Sequence, residues 1–250
     1  FDRMAELYPL AGSSIGFTVS LVGLLGILFG VVAGMFVAAF GYRRTLVWAL
    51  WTGAAMSALQ ALHLPFSAFL ATRVIEGLSH LGLVVAGPTL IAQISTEKTR
   101  GLAMTLWSTF FAVAFTLLAW LGLPLVAKFG VLSLFGAHAA IMAGLAVLLG
   151  QALRNVPVPE RQPVPRLAKL PALHWRIYRS PWLVAPAAGW LFYTACFVAI
   201  LPVIPPFIDE NVRGFVLGAM PLASIAVSMT LGVYLLRFIP AVRLVQAGFA

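Results

Sequence analysis

The chain has 250 residues, of which 62% are hydrophobic and only 9% are charged, and its mean hydropathy is +1.01. Soluble domains average about 45–50% apolar and about 25% charged residues, so this composition excludes an ordinary soluble domain and predicts an integral membrane protein. The formal charge of +9 does not indicate nucleic acid, because the basic residues stand between apolar segments and do not form one patch. The single cysteine, Cys196, excludes a disulfide framework.

Seven apolar segments are candidates for transmembrane helices, which need about 20 residues each. In chain order the predicted spans are 16–42, 46–63, 69–94, 102–126, 131–151, 182–207 and 214–236. We therefore expect an all-α polytopic membrane protein whose chain lies in a lipid bilayer.

The first span carries small residues at strict four-residue spacing. Gly26, Gly30, Gly34 and Ala38 repeat along one face of the predicted helix. Such a face lets a second helix approach closely, and close packing is what drives helix association in lipid. We predict a helix-packing role for these glycines.

The third span contains ionisable residues inside an apolar helix. Steps of three and seven residues return to one helical face, so Arg73, Glu76 and His80 are predicted to form one polar stripe. A charged side chain at mid-bilayer costs about 2.5–3.5 kcal/mol on insertion scales, and so faces protein or a water-filled cavity. Two interpretations stay open: an Arg73–Glu76 pair that only joins helices, or a substrate or proton site.

A polar, proline-rich segment follows the fifth span and predicts the domain organisation. Residues 152–181 are too polar to cross a membrane and too rich in proline for one helix. We interpret them as a cytoplasmic linker between an N-terminal bundle, 1–151, and the start of a C-terminal bundle, 182–250.

Orientation follows from the basic residues in alternate connections, because cytoplasmic loops carry the excess of Lys and Arg. One set of connections holds three, namely Arg3, Lys128 and Arg213, and the opposite set holds twelve: Arg43, Arg44, Lys98, Arg100, Arg154, Arg161, Arg166, Lys169, Arg176, Arg179, Arg237 and Arg243. The second set is predicted to be cytoplasmic, which places the lead-in 1–14 outside. We therefore expect a fragment that lacks one helix before residue 1.

The segment from Gly34 to Arg44 resembles the loop between the second and third helices of the major facilitator superfamily. That family pattern is Gly-x-x-x-Asp-Arg-x-Gly-Arg-[Arg/Lys], and the positions that carry over are Gly34, Gly41, Arg43 and Arg44. Ala38 and Ala39 stand where the family has Asp and Arg. The third span, with Arg73, Gly77 and Gly82, is similar to the family's fourth helix. The resemblance implies a partial bundle covering about helices two to eight of twelve.

The resemblance also implies a function and a set of site residues. Members move a small solute by alternating access through a path lined in part by the fourth and seventh helices, and a proton can be the coupling ion. The implied gate loop is that of Gly34, Gly41, Arg43 and Arg44, and Gly77 joins the packing glycines. The implied pathway residues are Arg73, Glu76 and His80 in the fourth helix and Trp190, Tyr193 and Thr194 in the seventh.

A membrane enzyme is the rival class. Such an enzyme needs a metal motif, paired acids or a nucleophile with a base, yet Glu76 is the one acid within a predicted span. We expect no catalytic residues, no metal and no cofactor. A non-transporting receptor or scaffold of the same fold stays open, because the gate pattern lacks its Asp at Ala38. The expected location is a bacterial inner membrane.

Overall fold

A computed structural model describes residues 2–157, 161–163 and 166–249. Within these ranges the secondary structure is helical and includes no strand, which confirms the all-α class. In chain order the helices are α1 (Asp2–Leu7), α2 (Phe17–Phe40), α3 (Tyr42–Gln60), α4 (Phe66–Ile94), α5 (Glu97–Ser108), α6 (Phe110–Leu117), α7 (Leu123–Phe129), α8 (Leu132–Ala152), α9 (Leu170–Tyr178), α10 (Pro181–Val203), α11 (Glu210–Val227), α12 (Val233–Leu235) and α13 (Ala241–Phe249).

Membrane-length apolar helices account for five of the predicted spans within the described residues. They are Pro9–Gly30, Phe66–Ile94, Glu97–Phe129, Leu132–Ala152 and Glu210–Leu235. The other two predicted spans correspond to the helices α3 and α10, which are not among these five membrane-length helices. Arg43 and Arg44 in the first turn of α3 lower its hydropathy, and α10 includes residues whose side chains lie outside the described part.

The chain divides into two compact units. The first comprises 1–104 and 124–167, and the second comprises 105–123 and 168–250. The predicted N-terminal bundle, 1–151, includes residues 105–123 of the second unit, and the predicted linker, 152–181, is divided between the two units. The predicted boundaries at 151 and 182 stay a prediction.

Helix α4 is the central element of the first unit. It starts directly after Pro65, whose fixed φ of −53° and extended ψ of 143° make it a natural helix entry, and it ends at Ser95. This start lies three residues before the predicted one. At 1.5 Å per residue, its 29 residues extend over about 43 Å, more than the bilayer core of about 30 Å. Helices α2 and α3 both pack along α4, and α8 packs on α3.

Small residues on α3 and α4 allow this packing. A Cβ added to Gly77 would lie 2.7 Å from the carbonyl oxygen of Val22, and one added to Gly53 would lie 2.7 Å from Oγ of Ser79. Real Cβ atoms do not come that close, so α2 and α3 approach α4 at positions where only glycine fits. Apolar side chains such as Leu50 and Ala86 fill the remaining space.

The predicted ridge on α2 has no such neighbour. Among the residues that the structure describes, and apart from the chain neighbours and nearby backbone of α2 itself, no heavy atom lies within 4 Å of a Cβ built on Gly26, Gly30 or Gly34. Helix α2 instead meets α4 through the face that contains Val22 and Leu25. The packing role of the three glycines stays a prediction, whereas Gly77 lies at an observed close approach.

An aromatic cluster closes one end of the first unit. Tyr8 donates a hydrogen bond from its hydroxyl to the carbonyl oxygen of Leu64 at 2.9 Å, and its ring packs against Phe66 and Phe69. Burial raises the pKa of Tyr8 above its ordinary value, so the hydroxyl stays a donor. This contact fixes the turn between α3 and α4 and so the start of α4.

The second unit contains a helix pair, α6 and α11, whose irregular segments were not predicted. The stretch after α6, Leu118–Gly122, and the stretch after α11, Ser228–Gly232, are both π-helical. Thr116 donates from its hydroxyl to the carbonyl oxygen of Gly218 at 2.9 Å, and the indole of Trp120 lies against the same glycine. Gly218 therefore has no room for a side chain.

Candidate functional site

An arginine–glutamate pair lies inside the first unit. Arg73 and Glu76 are one turn apart on α4, and Nη1 of Arg73 lies 2.5 Å from Oε2 of Glu76. The two side chains are 17% and 11% exposed. A charge-assisted hydrogen bond of this length between nearly buried partners is a strong one. The two residues thus neutralise each other within an apolar bundle.

Helix α2 supplies a second partner for Arg73. The guanidinium Nε donates to the carbonyl oxygen of Thr18 at 2.7 Å. A carbonyl oxygen has two lone pairs, so Thr18 can accept this bond beside a helical one. The close approach at Gly77 brings the α2 backbone within reach of Arg73. The glycine therefore helps to place the arginine, although the two were predicted separately.

Helix α3 supplies the third member of the cluster, Gln60. Its Nε2 donates to Oε2 of Glu76 at 2.8 Å and to Oγ1 of Thr72 at 3.0 Å. Gln60 is completely buried, and its Oε1 is a buried oxygen without a hydrogen-bond partner among the described residues. An unsatisfied buried acceptor costs free energy. Gln60 is therefore oriented toward Glu76 even though its own carbonyl oxygen stays unpaired.

A second polar contact lies one turn back along α3. The hydroxyl of Ser57 and Nδ1 of His138 on α8 are 2.7 Å apart, and Ser57 is completely buried. Ser79 on α4 donates to the carbonyl oxygen of Ala49 at 2.6 Å. Polar contacts thus continue from α4 through α3 to α8.

The polar cluster lies in the first half of α4. Arg73 is seven residues after the first residue of the helix, Phe66, which corresponds to about 10 Å along the axis. Thr18 is in the first turn of α2 and Gln60 is the last residue of α3. The cluster therefore lies in the half of the bundle that contains the α3–α4 turn.

The predicted stripe on α4 is only partly brought together. Arg73 and Glu76 are paired, but the side chain of His80 is exposed and makes none of the hydrogen bonds described for the cluster. Trp190, Tyr193 and Thr194 lie on α10 in the second unit. Tyr193 is exposed and Thr194 half-buried, and the side chain of Trp190 lies outside the described residues.

The predicted gate loop is a sharp turn between α2 and α3. Gly41 has a φ of 103°, a conformation that favours glycine. Nη1 of Arg43 donates to the carbonyl oxygens of Leu153 and Arg154, at 2.8 and 2.9 Å, just after α8 ends. A cation is favourable at the C-terminus of a helix, so Arg43 joins this loop to α8. Arg44 is exposed, and Gly34 lies within α2.

Sequence reasoning did not find Gln60, Thr72, Thr18 or the Ser57–His138 contact. Gln60 is at the end of a predicted span, where a polar residue indicates solvent. The partner of His138 is 81 positions away, so no local pattern reveals it. Within the described part of the chain, no group of three His, Cys, Asp or Glu residues has the arrangement of a metal site.

Apolar helices of membrane length that enclose a buried ion pair define a polytopic membrane protein with a polar site inside its bundle. The model of the Major Facilitator Superfamily matches residues 3–250. The chain belongs to this superfamily, whose members are membrane transporters that handle small molecules. Neither a curated protein nor a solved structure gives a significant match.

Proposed function

We propose that the protein moves a small solute by alternating access and couples this movement to protons through Arg73 and Glu76. The observation that carries the proposal is the pair itself, 2.5 Å apart and nearly buried, with Gln60 and the Thr18 carbonyl as further partners. Two further groups reach the pair from neighbouring helices: the Gln60 amide bonds to the carboxylate, and the Thr18 carbonyl oxygen accepts from the guanidinium.

The chemistry of a buried carboxylate supports the proton role. The side chain of Glu76 is 11% exposed, and its Oε2 accepts hydrogen bonds from Arg73 and Gln60. Separation of Arg73 from Glu76 would leave an uncompensated charge in a low-dielectric place, and the carboxylate would then take up a proton. A movement that separates the pair is thus linked to protonation of Glu76, which is what coupling requires.

The cellular setting and partners belong to the same proposal. We place the protein in a bacterial inner membrane, with the basic connections on the cytoplasmic side. Its partners are a small-molecule solute, protons and the lipid bilayer. We propose no catalytic activity, no cofactor and no nucleic-acid partner.

A receptor or scaffold of the same fold is the second candidate. The observation that favours it is the gate loop, where Ala38 and Ala39 replace the family's Asp and Arg. The loop nevertheless keeps a charged contact, because Arg43 binds the carbonyl oxygens that follow α8. Uptake by the purified protein would exclude this candidate.

The test is uptake by the full-length protein in proteoliposomes under an imposed pH gradient, with small anions, cations and neutral solutes as substrates. We expect uptake that follows the gradient in the wild type and loses this dependence in Glu76→Gln. The matched control is Glu6→Gln, because Glu6 pairs with Arg3 at the same three-residue spacing but is 62% exposed. If uptake by Glu76→Gln follows the pH gradient as it does in the wild type, the pair has only a structural role.

A further inference from the structure

We propose that helix α9 lies in the headgroup layer of the membrane, and that Lys169, Arg176 and Arg179 bind the phosphate groups of anionic phospholipids there. These residues belong to the second unit. The surface includes none of the proposed pathway residues, so its binding can be tested without a measurement of transport.

The exposed side of α9 has two neighbouring stripes of different chemistry. Residues three, four or seven positions apart return to one side of a helix. By this rule Trp175 and Tyr178 form an aromatic stripe, and beside it lies a basic stripe of Lys169, Arg176 and Arg179. All five of these residues are exposed, and the opposite side of the helix is half-buried. The two stripes therefore form the outer surface of α9.

The aromatic stripe fits the boundary between lipid tails and water. Trp175 and Tyr178 are 63% and 58% exposed. Each has an apolar ring and a polar tip, and such side chains are enriched at both membrane–water interfaces. Two large rings exposed to water are unfavourable, whereas the headgroup layer covers the rings and leaves their tips hydrated.

The charge beside the aromatic stripe is entirely positive. From residue 161 to residue 208 the sequence contains five basic residues and no acidic one. Within the described part of the chain, Lys169, Arg176 and Arg179 take part in neither of the two ion pairs. A surface with exposed cations and no carboxylate of its own is complementary to anionic headgroups, which attract basic segments close to a membrane.

Arg179 connects the two stripes. Its guanidinium carbon lies 4.9 Å from the centroid of the Trp175 ring, which is a cation–π contact. A guanidinium binds phosphate through the N–H groups in its own plane, often two at a time. Arg179 can therefore stay on the ring while it donates to a phosphate. The contact places a phosphate-binding group beside a ring that prefers the headgroup layer.

The position of α9 in the chain favours lipid over a soluble protein or a nucleic acid. Helix α10, the predicted span 182–207, starts at Pro181, three residues after α9 ends at Tyr178. Three residues reach at most about 11 Å, and the headgroup layer on each side of the bilayer core is about 5–7 Å thick. Helix α9 also contacts α10. The end of α9 therefore stays close to the membrane surface, where phospholipid headgroups are the nearest source of phosphate.

The experiment uses the full-length protein in nanodiscs of phosphatidylcholine, alone or mixed with phosphatidylglycerol. A spin label is attached at Ala172→Cys, an exposed position of α9, after removal of the single native cysteine by Cys196→Ser. The depth of the label follows from its accessibility to oxygen and to a water-soluble nickel complex. We expect the ratio of membrane-bound to free label to rise with phosphatidylglycerol and to fall in about 1 M salt, which screens exposed charges.

The double variant Arg176→Gln with Arg179→Gln should lower this ratio by about 25-fold, because each basic residue near an anionic surface contributes about fivefold. The matched control is Arg237→Gln with Arg243→Gln, which removes two exposed basic residues of the same unit outside α9 and should leave the ratio unchanged.

Three results would overturn the proposal. The first is a ratio that does not depend on phosphatidylglycerol, or that the control lowers as much as the double variant does. The second is a label that is equally shielded in detergent micelles without phospholipid, because α9 would then pack on the protein. The third is a label that stays free in both lipids and is immobilised by added RNA or polyglutamate, which would assign the surface to a soluble partner.

Discussion

Replacement of Arg73 by methionine removes the cation of the buried pair and keeps a long apolar side chain in its place. The change leaves Glu76, whose side chain is 11% exposed in the wild type, with Gln60 as its remaining partner. A carboxylate in such a place becomes protonated because the charged form is poorly solvated there. The free energy of unfolding of the variant should then depend on pH.

The size of this effect follows from the cost of protonating a glutamate. For an ordinary glutamate with a pKa of about 4.3, each pH unit above that value costs about 1.36 kcal/mol, which gives about 3.7 kcal/mol at pH 7 and about 1 kcal/mol at pH 5. The folded variant would hold a proton that the unfolded chain releases, so its stability falls as the pH rises. The value at pH 7 lies within the range of about 3–5 kcal/mol for removal of one partner from a buried pair.

The assay is the free energy of unfolding in detergent micelles, measured by titration with SDS at pH 5 and pH 7 and compared with the wild type at each pH. The chain contains a matched control, since Arg3 and Glu6 form the same type of pair at 3.0 Å but are 64% and 62% exposed. Arg3→Met should change the stability by less than about 1 kcal/mol at either pH. The reasoning is refuted if Arg73→Met costs no more than Arg3→Met, or if its cost does not shrink at pH 5.

Two other substitutions test the packing and the gate loop. Gly77→Ala should lower the free energy of unfolding by about 1–3 kcal/mol, because the new Cβ would lie 2.7 Å from a carbonyl oxygen. The control Gly26→Ala places its Cβ in open space and should be neutral or slightly stabilising. Equal effects of the two substitutions in the SDS titration would contradict the described contact. Arg43→Ala should lower the free energy of unfolding by about 1 kcal/mol, because two hydrogen bonds to carbonyl oxygens are lost. Arg44→Ala, at an exposed position, should leave the free energy of unfolding unchanged. A smaller loss of stability for Arg43→Ala than for Arg44→Ala would show that these bonds do not stabilise the fold.

Hydropathy predicts most of the fold because lipid imposes helices of a minimum length and apolarity. The predicted span 131–151 differs from α8, Leu132–Ala152, by one residue at each end. The span 102–126 is less well predicted, because the observed stretch Glu97–Phe129 starts five residues earlier and contains a π-helical segment. Hydropathy reports the length of an apolar run. It does not indicate where the backbone hydrogen bonds within that run change from the α-helical to the π-helical pattern.

Helical periodicity predicts which residues share a face and leaves open which part of that face a neighbour covers. Arg73 and His80 are seven positions apart and should point the same way, yet Arg73 is covered by α2 and His80 is exposed. The same limit applies to α2, where Gly26 and Gly30 form a regular ridge but α4 packs on the face of Val22. Burial depends on where helices cross, which is a tertiary property.

The contact of Gln60 with Glu76 does have a signal in the sequence, although no single helix contains it. A turn of a few residues between α3 and α4 forces the two helices to run antiparallel, so that residues at similar distances from the turn face each other. Ala49 and Ser79 fit this relation, at eleven residues before the end of α3 and thirteen after the start of α4. Gln60 ends α3, and its long side chain reaches Thr72 and Glu76, six and ten residues into α4. A polar residue at the end of one span is therefore not evidence of solvent when the next span has a carboxylate about three turns after the connection. The ends of α2 and α3 also explain where the cluster lies: Thr18, in the first turn of α2, and Gln60, at the end of α3, reach α4 in the half that contains the α3–α4 turn, where Arg73 and Glu76 form the pair.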